Sequence, residues 1–229
     1  MIRRLLHAGM NIQPAIHKPV TGADAKRRTA QFSVGGKHTI YYNEGVMRII
    51  KFSYRNIDAW LDYFDNRAFS DHKAWKGCYC TYFYYPKFED SKNVCRTKRE
   101  YAKWLIENDK MTGYLVYEKG KVIGWCNTGP KLNYSKLSQT NQLHKGIKSI
   151  VCFLIEERYR GQGIAKAILK RIIKDSKKDG TKKLEAYPNN RAKNQFGHYH
   201  GPIGMYLKNG FEIDERKKTT TVKLTIKGG

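Results

Sequence analysis

Between Ser149 and Pro188 the chain reads SIVCFLIEERYRGQGIAKAILKRIIKDSKKDGTKKLEAYP, and its hydrophobic period changes twice. Ile150 to Ile155 is a near-continuous apolar run, the pattern of a strand buried on both faces. After Glu156 and Glu157 comes the cluster Arg158-Tyr159-Arg160-Gly161-Gln162-Gly163. From about Ile164 the apolar positions switch to a helical stripe of Ile164, Ile168 and Ile172, with Leu169 and Ile173 beside it. Lys166, Lys170, Arg171, Lys174, Lys177 and Lys178 fall mostly off that stripe. Gly180 supplies a stop, and Lys183 to Pro188 reads as another strand. Strand, glycine-rich turn, long helix, strand is an α/β arrangement.

A glycine-rich turn that opens a helix aims several main-chain N–H groups outward at the positive end of the helix dipole, which suits a phosphate. Two glycines let a ligand approach without Cβ atoms in the way. The same spacing also serves a plain tight strand–helix connection. No Gly-Lys-Ser/Thr follows, so the turn is not a P-loop. It lacks the third glycine and the distal acid of the dinucleotide fingerprint.

The residues themselves say more. YRGQGIAKAIL resembles motif A of the GNAT N-acetyltransferase superfamily, (Gln/Arg)-x-x-Gly-x-(Gly/Ala), in two registers: Arg158…Gly161…Gly163 and Arg160…Gly163…Ala165. MYLKNGF, Met205 to Phe211, resembles the family's late Tyr-x-x-x-Gly-Phe signature, with Tyr206 in the tyrosine position. The resemblance runs from about Met47 to the C-terminus. It implies a mixed α/β fold: a twisted, mostly antiparallel central sheet of six to seven strands, helices on both faces, and a splay at the coenzyme-binding strand. It also implies acetyl-coenzyme A as co-substrate, no metal, and an amine acceptor.

Composition sets the outer limits. A chain of 229 residues with 40% apolar content and 16 tyrosines can bury a sizeable core. Nothing approaches a membrane span, and MIRRLLHAGM lacks the apolar run and cleavage site of a signal peptide. Five cysteines, an odd number without regular spacing, suit a reducing, cytoplasmic setting. The net charge of +24 suits anionic partners: coenzyme A, nucleic acid or an acidic surface, and it would suit aminoacyl-tRNA as an acceptor. Lysines spread evenly over a solvated surface explain the charge equally well.

Along the chain, residues 1–46 carry no sustained period. They read as a poorly ordered or non-native extension, with Lys26-Arg27-Arg28 as a basic arm, ahead of a single domain over 47–229. Ile57, Trp60, Leu61 and Phe64 predict a helix. On it Asp62, Asp65, Asn66 and Arg67 are either solvated polars or acceptor contacts. Alternation around Cys78, Cys80 and Tyr82 in WKGCYCTYFYYPKF predicts a strand. Its Cys-x-Cys lacks a second ligand pair and is read as buried or pocket-lining. Thr97-x-x-Glu100 is a capping box. GYLVYEKGKVIGWCN predicts a hairpin turning at Lys119-Gly120. Pro202 and Gly210 bracket a short helix holding Tyr206, and Phe211 to Ile226 closes as a hairpin.

Acetyl transfer needs a held coenzyme, a polarised thioester, a neutral amine and a proton for the departing thiolate. Main-chain groups of Arg160, Gly161, Gln162, Gly163, Ile164, Ala165 and Lys166 are the candidates for the pyrophosphate. By the resemblance, Phe153, Leu154 and Ile155 pair with the pantetheine arm, the Ile155 N–H faces the thioester oxygen, and Tyr206 is the proton donor. The coenzyme-binding strand carries no glutamate. Glu185 is the first candidate base and His198 and His200 the second, while attack by an already neutral amine needs none. A basic RNA-binding or regulatory module that keeps the fold without turnover is the alternative.

Overall fold

The computed structural model describes residues 30–34, 37–42, 45–84, 95, 97–137, 144–189, 199–215 and 220–227. Among the described residues nine strands form one sheet: β1 (Ala30–Val34), β2 (Lys37–Tyr42), β3 (Gly45–Lys51), β4 (Gly113–Glu118), β5 (Lys121–Pro130), β6 (Ile147–Ile155), β7 (Lys183–Ala186), β8 (Glu212–Ile213) and β9 (Val222–Thr225). They lie in the order β1-β2-β3-β4-β5-β6-β7-β9-β8. β6 and β7 run parallel, joined by a helical crossover, and the other neighbouring pairs are antiparallel. From β3 onward the sheet has the seven strands expected. β1 and β2 add two more from the stretch read as an extension, so the sheet begins before Met47.

Both faces of the sheet are covered. One carries α1 (Ile57–Asn66) and α2 (Lys98–Glu107), with a core built around Trp60, Tyr63, Tyr101, Leu115 and Trp125. The other carries α3 (Ile164–Ser176) and α4 (Ile203–Leu207), packed through Ile164, Ile168, Leu169, Ile172 and Tyr206 on Ile150, Phe153 and Leu184. This two-sided burial is why β6 reads as continuously apolar. α2 opens with the predicted capping box, Thr97 Oγ accepting from Glu100 N (3.2 Å) and Glu100 Oε2 from Thr97 N (3.0 Å). The β4–β5 hairpin turns at Lys119 and Gly120, both at positive φ (47° and 79°), as a two-residue primed turn requires. Among the described residues no helix is long and apolar enough to cross a membrane.

One predicted strand is not there. Trp75 to Tyr84 forms short 3-10 turns, Lys73–Trp75 and Tyr82–Tyr84. Gly77, Tyr79 and Cys80 sit at φ of 85°, 45° and 51°, which an extended strand cannot contain. The alternation there comes from a compact loop with several buried faces.

β6 holds the irregularity that shapes the site. Its register against β5 shifts between Asn127↔Cys152 and Thr128↔Ile150, leaving Val151 as the extra residue of a bulge. Its ladder with β7 runs only from Ile147↔Lys183 to Ile150↔Ala186. Beyond Ile150 the two strands part, as the resemblance implied.

Candidate active site

At the end of β6 the chain turns into α3 through Gly161 (φ +72°) and Gly163 (φ +81°), the latter being the residue before the first helical position. A Cβ built on either glycine meets nothing within 4 Å, so open space lies in front of the turn. α3 has no acid in its first turn. Its first N–H groups therefore meet no carboxylate from the helix's own first turn, the arrangement that suits a pyrophosphate. Gln162 folds back, its Nε2 donating to Arg158 O (2.8 Å), and closes the turn instead of facing the ligand. Arg160 donates from Nε to Ile155 O (2.8 Å) and grips both oxygens of Asp71 with its guanidinium. That grip holds the Asp71 carboxyl below the usual carboxylate range. It also ties the turn to the loop after α1.

A cavity of about 680 Å3 runs from this turn along the parted edge of β6, touching Phe153, Leu154, Ile155, Arg160, Gly161, Gly163, Ile164, Ala165 and Lys166. Glu156 N bonds Ile123 O (3.0 Å), and the register places Gly124 opposite Ile155. Ile155 is therefore a non-hydrogen-bonded position against β5, and its N–H and C=O point to the parted edge. The C=O receives Arg160 there, leaving the N–H directed into the splay. The Phe153 N–H, two residues earlier on the same edge, is taken by Tyr199 O (2.6 Å). His200 follows suit, donating from Nδ1 to Val151 O (2.6 Å). Residues 199 and 200 thus stand in the gap next to the bulge.

A second chamber of about 350 Å3 adjoins the first, walled by Phe69, Trp75, Tyr82, Phe83, Tyr199, Cys78, Cys80, Cys152, Thr81, Val151 and Asn127. Asn127 is fixed on all sides: Oδ1 accepts from Tyr84 (3.2 Å) and Tyr134 (2.9 Å), and Nδ2 donates to Cys80 O (3.3 Å). Lys76 and Lys98 edge the chamber, and among the described residues its walls hold no carboxylate. Burial pushes the Cys78 thiol up to about 11, and a hydrogen bond with Cys152 plus burial pushes Cys80 well up. Both are protonated thiols, as expected for pocket-lining cysteines. Among the described residues no His, Cys, Asp or Glu cluster could hold a metal. The two chambers share Phe69, Trp75, Leu154 and Tyr199.

Three predicted residues do not reach these cavities. Tyr206 is wholly buried and donates to His200 O (2.5 Å). Glu185 is buried in an ion pair with Lys131 (2.6 Å) and accepts from Tyr187 (3.3 Å), which in turn contacts Ser149 (2.9 Å). A carboxylate so paired is no free base. His200 is held by Val151 O, and burial lowers its pKa to about 4. His198 lies outside the described residues. Asp65 is an ion-pair partner of Arg99 (3.0 Å) and accepts from Tyr79 (2.5 Å); Asp62 pairs with Arg67 (2.7 Å). Glu156 keeps only 13% of its side chain exposed and pairs with Arg158 (3.0 Å). Sequence reasoning missed Asp71, Asn127 and Tyr199, which lie outside the aromatic Trp75 stretch and carried no local signal.

The profile of the acetyltransferase (GNAT) family matches residues 72–211, more than half of the chain and inclusive of both chambers' main walls. No curated protein matches the chain. Similar solved structures include an N-acetyltransferase from Staphylococcus aureus Mu50, 18% identical, with a TM-score of 0.49 over 79% of this chain and 99% of that one. Another is PaiA N-acetyltransferase from Thermoplasma acidophilum in complex with coenzyme A, 15% identical, TM-score 0.46, covering 78% and 98%. A third is ribosomal-protein-alanine N-acetyltransferase from Brucella melitensis, 14% identical, TM-score 0.47, covering 77% and 98%. On the profile match over more than half of its length, the chain belongs to the acetyltransferase (GNAT) family.

Proposed function

We propose that this acetyltransferase moves the acetyl group of acetyl-coenzyme A onto a primary amine carried on an apolar or aromatic body. The observation that carries the reading is the meeting of two chambers. One leads from an anion-ready helix terminus along the edge of β6 that has parted from β7. The other is walled by aromatic rings and thiols. Acetyl-coenzyme A brings an acyl group on a thiol leaving group. Gly161, Gly163 and the first residues of α3 hold its phosphates, with Lys166 beside them. The Ile155 N–H supports charge on the thioester oxygen.

The acceptor chamber needs no base of its own. Cations at its edge and, among the described residues, walls without a carboxylate disfavour a bound ammonium, so the amine arrives neutral and attacks directly. The same electrostatics turn away polycations and favour an acceptor that also bears an anionic group. The test is thiol release with matched amines: an aromatic amino acid, spermidine and an aminoglycoside. The expected order puts the aromatic amino acid at least about tenfold ahead in kcat/KM, which corresponds to about 1.4 kcal/mol. A preference for the polycations removes this reading of the chamber.

A further inference from the structure

We infer that Tyr199, and not Tyr206, is the catalytic residue that returns a proton to the departing thiolate. The inference rests on the acetyl-transfer reading and adds the acid to it. Transfer takes place where the chambers meet, and the residues touching both are Phe69, Trp75, Leu154 and Tyr199. Of these side chains only the Tyr199 phenol has a proton acidic enough to give.

The rest of its surroundings hold that phenol in place. Tyr199 O is bound to Phe153 N (2.6 Å), and its ring packs edge-on against Trp75 (5.3 Å) and on His200 (4.0 Å). Among the described residues its hydroxyl has no hydrogen-bond partner, so it is not committed elsewhere. The other phenols near the cavities are. Tyr159 donates to Glu118 (2.5 Å), Tyr63 to Leu154 O (3.2 Å) and Tyr206 to His200 O (2.5 Å). Tyr82 touches only the second chamber, with Lys136 over its ring (3.6 Å).

Burial and the nearby thiols raise the Tyr199 pKa above that of a free phenol, so it is protonated at neutral pH. A thiolate forming among Phe69, Trp75 and Leu154 is poorly solvated, which raises its own proton affinity. In the step, the amine nitrogen bonds to the acetyl carbon, the C–S bond breaks with its electron pair on sulfur, and the Tyr199 O–H gives sulfur its proton. The proton shed by the amine restores the phenol, directly or through water.

The experiment compares Tyr199→Phe with Tyr206→Phe in the full chain, after wild-type thiol release has been established. A silent wild type would sink the acetyl-transfer reading, not this assignment. Tyr199→Phe is expected to lower kcat about 100-fold, the usual weight of a general acid, with both KM values and calorimetric coenzyme A affinity within about twofold. Tyr206→Phe is expected to keep kcat and lose thermal stability. An unchanged kcat in Tyr199→Phe, or an effect confined to the amine KM, overturns the proposal. Fluorotyrosine placed at position 199, which keeps the side chain's shape, supplies a second reading. Its fluorine resonance is expected to move on binding coenzyme A, and its more acidic phenol to bring the alkaline limb of kcat to lower pH. A still resonance or an unmoved limb overturns the assignment.

Discussion

The hydroxyl of Tyr206 donates to the main-chain oxygen of His200 across 2.5 Å, and both residues are buried. The bond joins α4 to the segment that fills the gap beside the β6 bulge. Tyr206→Phe leaves a buried carbonyl without its donor, at a cost of about 1–3 kcal/mol. The denaturation midpoint is expected to fall accordingly while the slope of the transition holds. An unchanged midpoint would show that the bond contributes nothing.

Gly163 and Gly180 provide a matched pair. Both have positive φ (+81° and +75°), and a Cβ on either meets nothing within 4 Å. Each Gly→Val change carries a backbone penalty of about 1–2 kcal/mol. Only position 163 opens on the phosphate turn. Calorimetry is expected to show coenzyme A binding lost in Gly163→Val and retained in Gly180→Val.

Lys131 and Glu185 expose only 5% and 6% of their side chains and lie 2.6 Å apart. Removing one charge strands the other, so Glu185→Gln is expected to cost about 3–5 kcal/mol. Replacing both with apolar residues of similar size is expected to recover most of that loss. Turnover per folded molecule is expected to persist in the double variant. Loss of turnover without loss of fold would reinstate Glu185 as a base.

His200 sets a pH limit on the fold. Its pKa falls from about 6.5 in an unfolded chain to about 4 in the fold, chiefly through burial. Between those values the unfolded chain binds the extra proton, so stability rises with pH. The contribution is complete above about 6.5 and is lost as pH falls toward the folded value, about 3 kcal/mol in all. Melting temperatures between pH 7 and pH 4 are expected to drop more steeply for wild type than for His200→Gln, a window set by the two His200 pKa values. Asp71, whose pKa is lowered first by its Arg160 hydrogen bonds, adds a loss of the same sign at lower pH that both proteins share.

The β6–α3–β7 unit was readable because its signals are local: an apolar run, two glycines and a helical stripe within one stretch. The Thr97 cap and the Lys119-Gly120 hairpin were readable for the same reason. The acceptor side was not. Arg160 meets Asp71 across 89 positions of sequence, and Tyr199 follows a polar, glycine-punctuated run that gave no hint of a wall. Lys131, next to Pro130, looks like any loop lysine, yet it neutralises the carboxylate that otherwise reads as a base. Tyr206 marks the other limit. The spacing of its motif located the helix correctly but could not say which way the hydroxyl points.

The early end of the β6–β7 ladder has a consequence for assembly. Beyond Ile150 the sheet contains a strand edge at its centre instead of its rim. Exposed edges ordinarily recruit other chains and seed aggregation. This one is guarded by its position, with α3 on one side and residues 199–201 on the other, and Phe153 and Leu154 are only 6% and 7% exposed. Its main-chain groups are also largely met from within: Tyr199 O takes the Phe153 N–H, Arg160 the Ile155 carbonyl and His200 the Val151 carbonyl, so a second chain finds little there to pair with.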